Sequence, residues 1–458
     1  MSVGRGSERH GDVGLVICHT ADWHLGRSLH GASFDDAHRR FLAWLVHRIV
    51  EHAVDVLVVA GDVFDRSVPP ASAEATFYGF LAQLARAAPG VQVVVVAGNH
   101  DGPARLCAPA PLLARLGAGR LDVHLVGSLR LEAQGAVDLE AMVIPLRTRA
   151  GDCRGHAIAV PFLRPSDLAR LGDDASGAAA RTRSLHERAI EVVRAKERPG
   201  LVLAVGHGQV RGARLSPDSE RPLLGGEDAA VPVDVFPRAL SYVALGHLHL
   251  AQSLDDGRVR YAGAPLPLAF SERSHPHQIA IVQADDAGTL DIEVVRVPPF
   301  VELVRIESAS GEPVLLEEAI ERLEALDAPS DGGVETERWV QVRVQLETPR
   351  AALKRELADA LLRGASGARL VSVEVERSGD RGPGPTPASA YADLAPEAVL
   401  ERVWRSTSAE PVPAGLSAAL REAWEEARKQ HEEDLTQVPD VDALVGLDLL
   451  GGGIEVAS

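Results

Sequence analysis

The sequence predicts an α/β fold followed by a separate, smaller α+β unit. In the first hundred residues, apolar runs alternate with segments that carry apolar residues at helical spacing, in the order strand, helix, strand, helix, strand. The apolar runs are continuous, as is typical of parallel strands that are buried on both faces of a sheet. From about residue 298 the pattern becomes strand, helix, alternating strand, helix and strand, which predicts a second, self-contained unit.

The elements of the first part can be placed from their boundaries. Strands are predicted within 14–24, within 55–65 and over 91–98. Apolar residues recur at helical spacing over 34–49 and predict one helix, and a second helix is expected over 71–88. Ligands of open parallel sheets bind beyond the carboxyl ends of the strands, so the residues after each strand are the candidates for a functional site.

Two further apolar strands, at 201–208 and 242–252, also end in polar clusters. The segments 261–272 and 278–285 follow, and we expect both on the far side of a second sheet. The small unit is predicted to contain a strand at 300–308, a helix at 313–327, a strand at 338–348, a helix at 349–363 and a strand at 368–376.

These patterns and the composition between them divide the chain into six parts. They are a disordered leader at 1–13, a main α/β domain at 14–297, the α+β domain at 298–377, a Gly/Pro linker at 378–390, a helical motif at 391–435 and a flexible tail at 436–458.

The helical motif is predicted to bind a partner protein. Leu416, Leu420 and Trp424 lie on one apolar stripe, and Trp404 adds a second large aromatic side chain. Large aromatic residues are common anchors of protein interfaces, and the linker before the motif favours an external partner. Docking of the same stripe on this protein's own body is the alternative.

The bulk properties exclude several classes of protein. No apolar run is long enough to span a membrane, and the polar leader lacks the apolar core of a secretory signal. The three scattered cysteines argue against a disulfide framework and for a reducing cytoplasm. The formal net charge of −18 argues against a nucleic-acid binder that acts alone, because such proteins usually carry a basic face.

Residues of the metal-ligand type follow five of the predicted strands. They are Asp22, His24, Asp62, Asn99, His207, His247 and His249. Each pattern alone is weak, since Gly-Asp often forms a turn and a single histidine is more often a satisfied core residue. Together they supply carboxylate, amide and imidazole donors without a thiolate, which suits catalytic Mn²⁺, Fe²⁺ or Zn²⁺. Several such ligands can hold two ions that one carboxylate bridges.

The motifs HTADWHLG, AGDVFD, AGNHD and ALGHLH occur in the order and spacing seen in the calcineurin-like metallophosphoesterases, which residues 14–290 resemble. The segments PFLRPSD (161–167), DSERPLLGG (218–226) and GAPLPLAFSE (263–272) are similar to a bacterial nuclease branch of that family. The resemblance implies a four-layer sandwich of two mixed sheets flanked by helices, with a small α+β capping domain and C-terminal helices.

The resemblance also implies roles for individual residues. One metal would be held by Asp22, His24, Asp62 and His249, and the other by Asp62, Asn99, His207 and His247. His100 would not be a ligand but would protonate the leaving oxygen or stabilise charge there. Asp101 would orient neighbouring groups. Asp65 stands where archaeal and eukaryotic relatives carry a second active-site histidine, and it is expected to orient a ligand.

The function that the resemblance implies is a cytoplasmic, two-metal, Mn²⁺-dependent nuclease, with other divalent metals as alternatives. It would act as a double-strand exonuclease and single-strand endonuclease on DNA ends and hairpins, in recombination, replication and repair. Its partners would be an SMC-like ATPase and a second copy of the chain, in a heterotetramer.

Two alternatives remain open at this point. The first is a phosphatase or phosphodiesterase that acts on small or protein phosphoesters, against which the α+β unit and the C-terminal helices argue. The second is a non-catalytic protein that tethers DNA within a complex, against which the complete ligand set argues.

Overall fold

The structure is a computed structural model that describes residues 13–377, apart from 117–119, 134, 172–176, 217–229, 328–334, 349, 351 and 365–366. Most of the predicted leader, the segment 218–226, the linker, the tail and the helical motif lie outside the described residues, as do Trp404, Leu416, Leu420 and Trp424. Among the helices that are described, none is both long and apolar enough to cross a bilayer.

The first sheet contains the continuous apolar strands at its centre. Its six strands, in order across the sheet, are β14 (Leu290–Arg296), β13 (Gln278–Asp285), β1 (Val13–Thr20), β4 (Val56–Ala60), β5 (Val91–Val96) and β6 (Leu121–Val126). The last four run parallel, whereas β13 is antiparallel to β1 and β14 is antiparallel to β13. Every residue of β4 and β5 is buried, which explains why their sequences are apolar without alternation.

The second sheet is also mixed. Its six strands, in order, are β11 (Gln252–Leu254), β12 (Val259–Tyr261), β10 (Tyr242–Gly246), β9 (Leu201–His207), β8 (Cys153–Val160) and β7 (Val143–Arg147). The four inner strands are parallel, and the two edge strands are antiparallel to their neighbours. A short hairpin of β2 (Ser28–Leu29) and β3 (Ala32–Ser33) lies outside both sheets.

The helices complete a sandwich of four layers. The helices of the main domain are α1 (Asp35–Glu51), α2 (Ala71–Ala87), α3 (Pro103–Cys107), α4 (Ala110–Leu116), α5 (Pro165–Arg170) and α6 (Ala178–Arg194). α1 and α2 bury their apolar faces on the outer side of the first sheet. The inner faces of the two sheets share one core, in which Val58 and Val205 lie. α6 covers the outer side of the second sheet through residues such as Ile190. The predicted fold class is confirmed.

The small unit is a parallel sheet with helices on one face. Its elements are β15 (Val301–Ile306), β16 (Val314–Leu315), α7 (Leu316–Glu324), β17 (Glu337–Leu346), α8 (Leu353–Arg363) and β18 (Ala368–Arg377). Leu323 of α7 and Leu357 of α8 share a core with Val342. The opposite face joins the core of the main domain, where the buried ring of Trp339 lies 4.5 Å from the ring of Phe34.

One topological prediction was wrong. The segment 278–285 does not join the second sheet; as β13 it pairs with β1 in the first. Within 261–272, only Tyr261 belongs to a strand, and the chain then runs irregularly to a single 3₁₀ turn at Phe270–Glu272. Apolarity marks a strand as buried but carries no information about which of two equally apolar sheet edges it covers.

The helices of the small unit are also shorter than predicted, because α7 spans 316–324 and α8 begins at residue 353.

Candidate metal centre

Five strand ends from the two sheets meet at one edge of the sandwich. The residues that they bring there are Asp22 and His24 after β1, Asp62 after β4, Asn99, His100 and Asp101 after β5, His207 at the end of β9, and His247 and His249 after β10. All are buried except Asn99, which is half-buried. The structure therefore brings together all seven residues predicted as ligands.

Four of these side chains are presented from a strained backbone. Asp22, His24, Asp62 and His247 have positive φ angles of 54°, 48°, 50° and 101°. Such conformations cost on the order of 1–3 kcal/mol each for residues other than glycine and cluster at functional sites. Hydrogen bonds hold them, since the Asp22 N–H donates to Gly61 O at 3.0 Å and the His247 N–H donates to Asp22 Oδ1 at 2.9 Å.

Glycines at the same edge permit close backbone packing. Gly61 has a φ of 88°, where a side chain would be strained. Gly98 and Gly246 are needed for space, because a Cβ would lie 2.1 Å from Asp62 Oδ1 in the first case and 2.0 Å from a backbone oxygen in the second. At Gly206 the nearest atom to an added Cβ is 3.3 Å away, so this glycine is not required in the same way.

The first predicted ligand set converges on one point. Ligand atoms of Asp22, His24 and His249 all lie within 4.8 Å of one another. The Nε2 atoms of the two histidines are 3.2 Å apart, and His24 Nε2 is 3.5 Å from Asp62 Oδ2. Asp22 Oδ2 is buried and accepts no hydrogen bond from any described residue. A buried carboxylate oxygen without a donor, facing imidazole nitrogens, is a fitting environment for a cation.

The second set lies on the other side of Asp62. Asn99 Oδ1 is 3.0 Å from both His207 Nε2 and His247 Nδ1. His207 Nε2 is also 3.4 Å from Asp62 Oδ2, the same oxygen that faces His24. His207 Nδ1–H donates to Ala60 O at 2.8 Å, which orients the ring as the outer partners of metal-binding histidines do. The Asp62 carboxylate is therefore placed to bridge the two sets.

The electrostatics of the centre show an excess of buried negative charge. Burial raises the pKa of Asp22 to about 7, and the neighbouring Asp62 carboxylate adds to this effect. Burial acts against the charged form of His207 too, but Asp62 outweighs it and raises the pKa of His207 to about 9. Burial lowers the pKa of His24 to about 4. Divalent cations would neutralise these carboxylates while the remaining histidines stay neutral.

His100 lies beside both ligand sets. Its ring is 4.6 Å from the ring of His24 at 86°, and its backbone N–H donates to Asp62 Oδ1 at 2.8 Å. Its Nδ1–H donates to the backbone oxygen of Asp65 at 2.8 Å. His24, Asp62 and His100 also form a group that can hold a metal, so the assignment of His100 as a group that is not a ligand stays a prediction.

Asp101 ties two strand exits together. Its carboxylate accepts the N–H groups of Val63, Phe64 and Gly98 at 3.2, 2.9 and 2.9 Å. Burial, with the charge of Asp62 beside it, raises the pKa of Asp101 to about 6. These contacts fix the residues that flank Asp62 and Asn99, in keeping with the supporting role predicted for Asp101.

Asp65 faces a metal-ligand histidine rather than the substrate. Its Oδ1 lies 3.0 Å from Arg27 Nη1 and 3.6 Å from His24 Nδ1. Although burial acts in the opposite direction, His24 and Arg27 hold the pKa of Asp65 well below its usual range. An ionised Asp65 beside His24 agrees with the orienting role predicted for it.

The sequence reasoning missed one residue that contacts the centre. Glu272 is fully buried, and its Oε1 accepts the Nδ1–H of His249 at 2.8 Å. The segment GAPLPLAFSE contributes to the family resemblance, but the resemblance assigns no role to its glutamate. A single acidic residue at the end of an otherwise apolar segment was the signal that could have found it.

Comparisons with known proteins agree with this geometry. Residues 15–251 match the family described as calcineurin-like phosphoesterase. SbcD of Rhodobacter capsulatus, a component of the SbcCD nuclease, is 42% identical over 325 residues, which cover 70% of this chain and 78% of that protein. The chain belongs to the calcineurin-like phosphoesterases, in the SbcD group.

Two more distant members of that group extend the likeness. The Escherichia coli K12 protein of the same name is 32% identical over 62% of this chain and 68% of its own length. The Bacillus subtilis protein is 30% identical over 72% of this chain and 79% of its own length. The predicted family and hydrolase class are thus confirmed, and membership of this family implies that the centre binds divalent metal.

Proposed function

We propose that this phosphoesterase is the nuclease component of an SbcCD-type complex. It would use two Mn²⁺ ions, or other divalent metals, as a double-strand exonuclease and single-strand endonuclease on DNA ends and hairpins. The observation that carries the proposal is that donors from five strand ends form two sets that share Asp62, with His100 beside both. The names of the relatives support a nuclease rather than a phosphatase.

The residues divide the work as follows. Asp22, His24 and His249 would hold one ion and Asn99, His207 and His247 the other, with Asp62 between them. When bound, two such ions clamp a phosphate and activate a water for in-line attack. His100 is anchored through Nδ1, so Nε2 is the nitrogen that would pass a proton to the leaving oxygen. Asp101 and Asp65 would keep the strand exits and the His24 ring in place.

The small unit, 298–377, would act as a DNA-capping domain beside the nuclease domain, 14–297. A cavity of about 560 Å³ is lined by His30 of the main domain and by Arg350 and Lys354 at the start of α8. Basic groups on both walls suit a phosphate backbone. In a chain of net charge −18, such local basic groups and the metals would carry the contact with DNA, together with the partner.

The partner would be an SbcC-like SMC ATPase that binds the helical motif 391–435, in a heterotetramer with two copies of each chain. A role in recombination, replication and repair follows from DNA ends and hairpins as substrates. A pull-down with and without residues 390–435 tests the partner site, and unchanged binding would overturn it.

The decisive experiment for the nuclease is cleavage of end-labelled linear and hairpin duplex DNA by the purified chain, with and without the ATPase. We expect cleavage that needs Mn²⁺, stops with EDTA and is lost in His100→Ala. His156→Ala is the matched control, because His156 is equally buried and its Nδ1–H also donates to a backbone oxygen at 2.8 Å, far along the chain from the centre.

A small phosphodiester serves as the competing substrate. Hydrolysis of that ester alone, with no DNA cleavage even when the ATPase is present, would overturn the nuclease and favour a small-molecule phosphodiesterase. Equal loss of activity in His100→Ala and His156→Ala would instead remove the specific role of His100.

A further inference from the structure

Glu272 lies behind the metal centre in a position that its burial makes costly. Its side chain is 0% exposed. Its Oε1 accepts the Nδ1–H of His249 at 2.8 Å, and its Oε2 accepts the Leu268 N–H at 3.0 Å. A buried carboxylate is unfavourable unless donors compensate for the lost water, and here each oxygen has one. Since one donor is a predicted metal ligand, the carboxylate acts on the centre directly.

The contact fixes the protonation state of the His249 ring. A neutral imidazole carries one proton, and the Glu272 carboxylate holds it on Nδ1. Nε2 then presents its lone pair, and this atom lies 3.2 Å from His24 Nε2. Carboxylate partners of this kind set the tautomer and the ring orientation of metal-binding histidines and increase their basicity.

The same loop reaches the other histidine of this ligand set. Leu268 O accepts a hydrogen bond from Arg27 Nη2 at 3.4 Å, and Arg27 Nη1 donates to Asp65 Oδ1 at 3.0 Å. Asp65 Oδ1 is 3.6 Å from His24 Nδ1, which is too long for a hydrogen bond but close enough for its charge to act on the ring. Both histidines of one ligand set are therefore backed by a carboxylate, and Arg27 connects the two supports.

The second ligand set has a different support. His207 Nδ1–H donates to the backbone oxygen of Ala60 at 2.8 Å, and no carboxylate of the described residues is needed to orient it. A change of the loop that carries Glu272 leaves this backbone contact in place. The two metal positions should therefore respond differently when Glu272 is altered.

We propose that Glu272 is a positioning residue that holds His249 in the Nδ1–H tautomer for the metal shared with Asp22 and His24, and that the metal at His207 and His247 does not depend on it. The proposal rests on the proposed function only in treating the centre as a site for two metals. It assigns no part in the reaction itself to Glu272.

The first test uses the metal-free protein. Chain labelled with ¹⁵N-histidine is studied by two-dimensional NMR of the ring nitrogens, and the His249 signal is assigned from its absence in His249→Gln. We expect Nδ1 of His249 to be protonated and Nε2 to be unprotonated in the wild type. Protonation at Nε2 instead would overturn the proposal without any variant of Glu272.

The second test is titration with Mn²⁺ by calorimetry, without DNA. In Glu272→Gln the amide can accept from only one of the two donors, His249 or Leu268, so one contact is lost in either orientation. We expect one of two Mn²⁺ equivalents to bind about 10- to 100-fold more weakly, with the other unchanged. Glu307→Gln is the matched control, because Glu307 is also largely buried and bonds Arg273 and Arg343 instead of a metal ligand.

The outcomes separate this inference from the proposed function. Binding of both equivalents as in the wild type, or equal weakening of both, would overturn the role of Glu272. If the wild type bound no Mn²⁺, the proposed function would fail, while the NMR measurement would still decide whether Glu272 sets the His249 tautomer.

Discussion

Replacing Gly98 with alanine is expected to disable the metal centre while the fold survives. The φ angle of Gly98 lies outside the left-handed region, so alanine is conformationally allowed there. Its Cβ, however, would lie 2.1 Å from Asp62 Oδ1 and 2.4 Å from Asp62 N. Real Cβ contacts are not shorter than 3.0 Å, so 3.0 − 2.1 = 0.9 Å is the least by which the Asp62 carboxylate must move.

A displacement of this size removes the contacts that define the bridging position. Asp62 Oδ1 accepts the His100 N–H at 2.8 Å, and Oδ2 lies 3.5 and 3.4 Å from the Nε2 atoms of His24 and His207. Overpacking of this kind costs on the order of 1–3 kcal/mol of stability. A misplacement of about 1 Å at an active site can cost about 100-fold in rate. We therefore expect at least about tenfold weaker Mn²⁺ binding and about 100-fold slower cleavage.

Gly206→Ala is the matched control for this prediction. Gly206 also lies at a strand end of the centre, but its added Cβ would meet only the flexible tip of Leu245, at 3.3 Å. Both variants are compared by urea unfolding, Mn²⁺ calorimetry and cleavage of labelled DNA. Mn²⁺ binding by Gly98→Ala that is as tight as that of Gly206→Ala would refute the reasoning, because the steric argument would then have failed.

Three further predictions concern the stability of the folded chain. Trp339→Ala should lower the unfolding free energy by about 3–5 kcal/mol in urea, since this ring is 1% exposed, whereas Leu362→Ala at 74% exposure should change it little. Burial lowers the pKa of His186 from 6.5 to about 4. Its contribution to stability is therefore present above pH 6.5 and is lost as the pH falls toward 4, by up to about 3 kcal/mol, and urea unfolding of His186→Gln should show a correspondingly smaller loss. Mn²⁺ at about 100 times its dissociation constant should stabilise the wild type by about 2.7 kcal/mol in thermal unfolding, reversibly with EDTA. The gain should persist in His100→Ala and shrink in His249→Ala.

Each of these predictions has a result that contradicts it. Equal effects of the two substitutions in the small unit would show that the Trp339 contact does not hold that unit to the main domain. Parallel pH curves for wild type and His186→Gln would mean that another group causes the acid sensitivity. Loss of the Mn²⁺ gain in His100→Ala would make His100 a ligand, as its position beside His24 and Asp62 allows.

The sequence was sufficient to predict the residues of the centre because each follows an apolar strand. In a parallel sheet, strand direction alone places Asp22, Asp62 and Asn99 at one edge, since β1, β4 and β5 are neighbours. His207 and His247 reach the same point from the second sheet, and nothing in strand periodicity specifies how two sheets face each other. The motif resemblance supplied that part, which composition and spacing could not.

The misses have a common physical origin in contacts that are distant along the chain. β13 reads as a buried strand, but its pairing with β1 depends on which sheet edge is open when the chain returns. Glu272 lies 23 residues from His249 in the sequence and in an irregular segment, where no periodicity indicates which way a side chain points. The strained φ angles of Asp22 and Asp62 are equally invisible, because residue type permits them only when tertiary contacts enforce them.

The position of the centre follows from how closely the two sheets approach. At this edge a Cβ on Gly246 of β10 would lie 2.0 Å from Ala60 O of β4, so backbone meets backbone across the layers. Further along, the His19 side chain of β1 bonds Tyr242 and Leu245 of β10 at 2.9 and 3.2 Å, which holds the sheets in register. Ligands from both sheets can then share one bridging carboxylate only while this packing is intact. Metal binding and sheet packing are therefore thermodynamically linked, and a substitution that loosens the interface between the sheets should weaken metal binding even when it contacts no ligand.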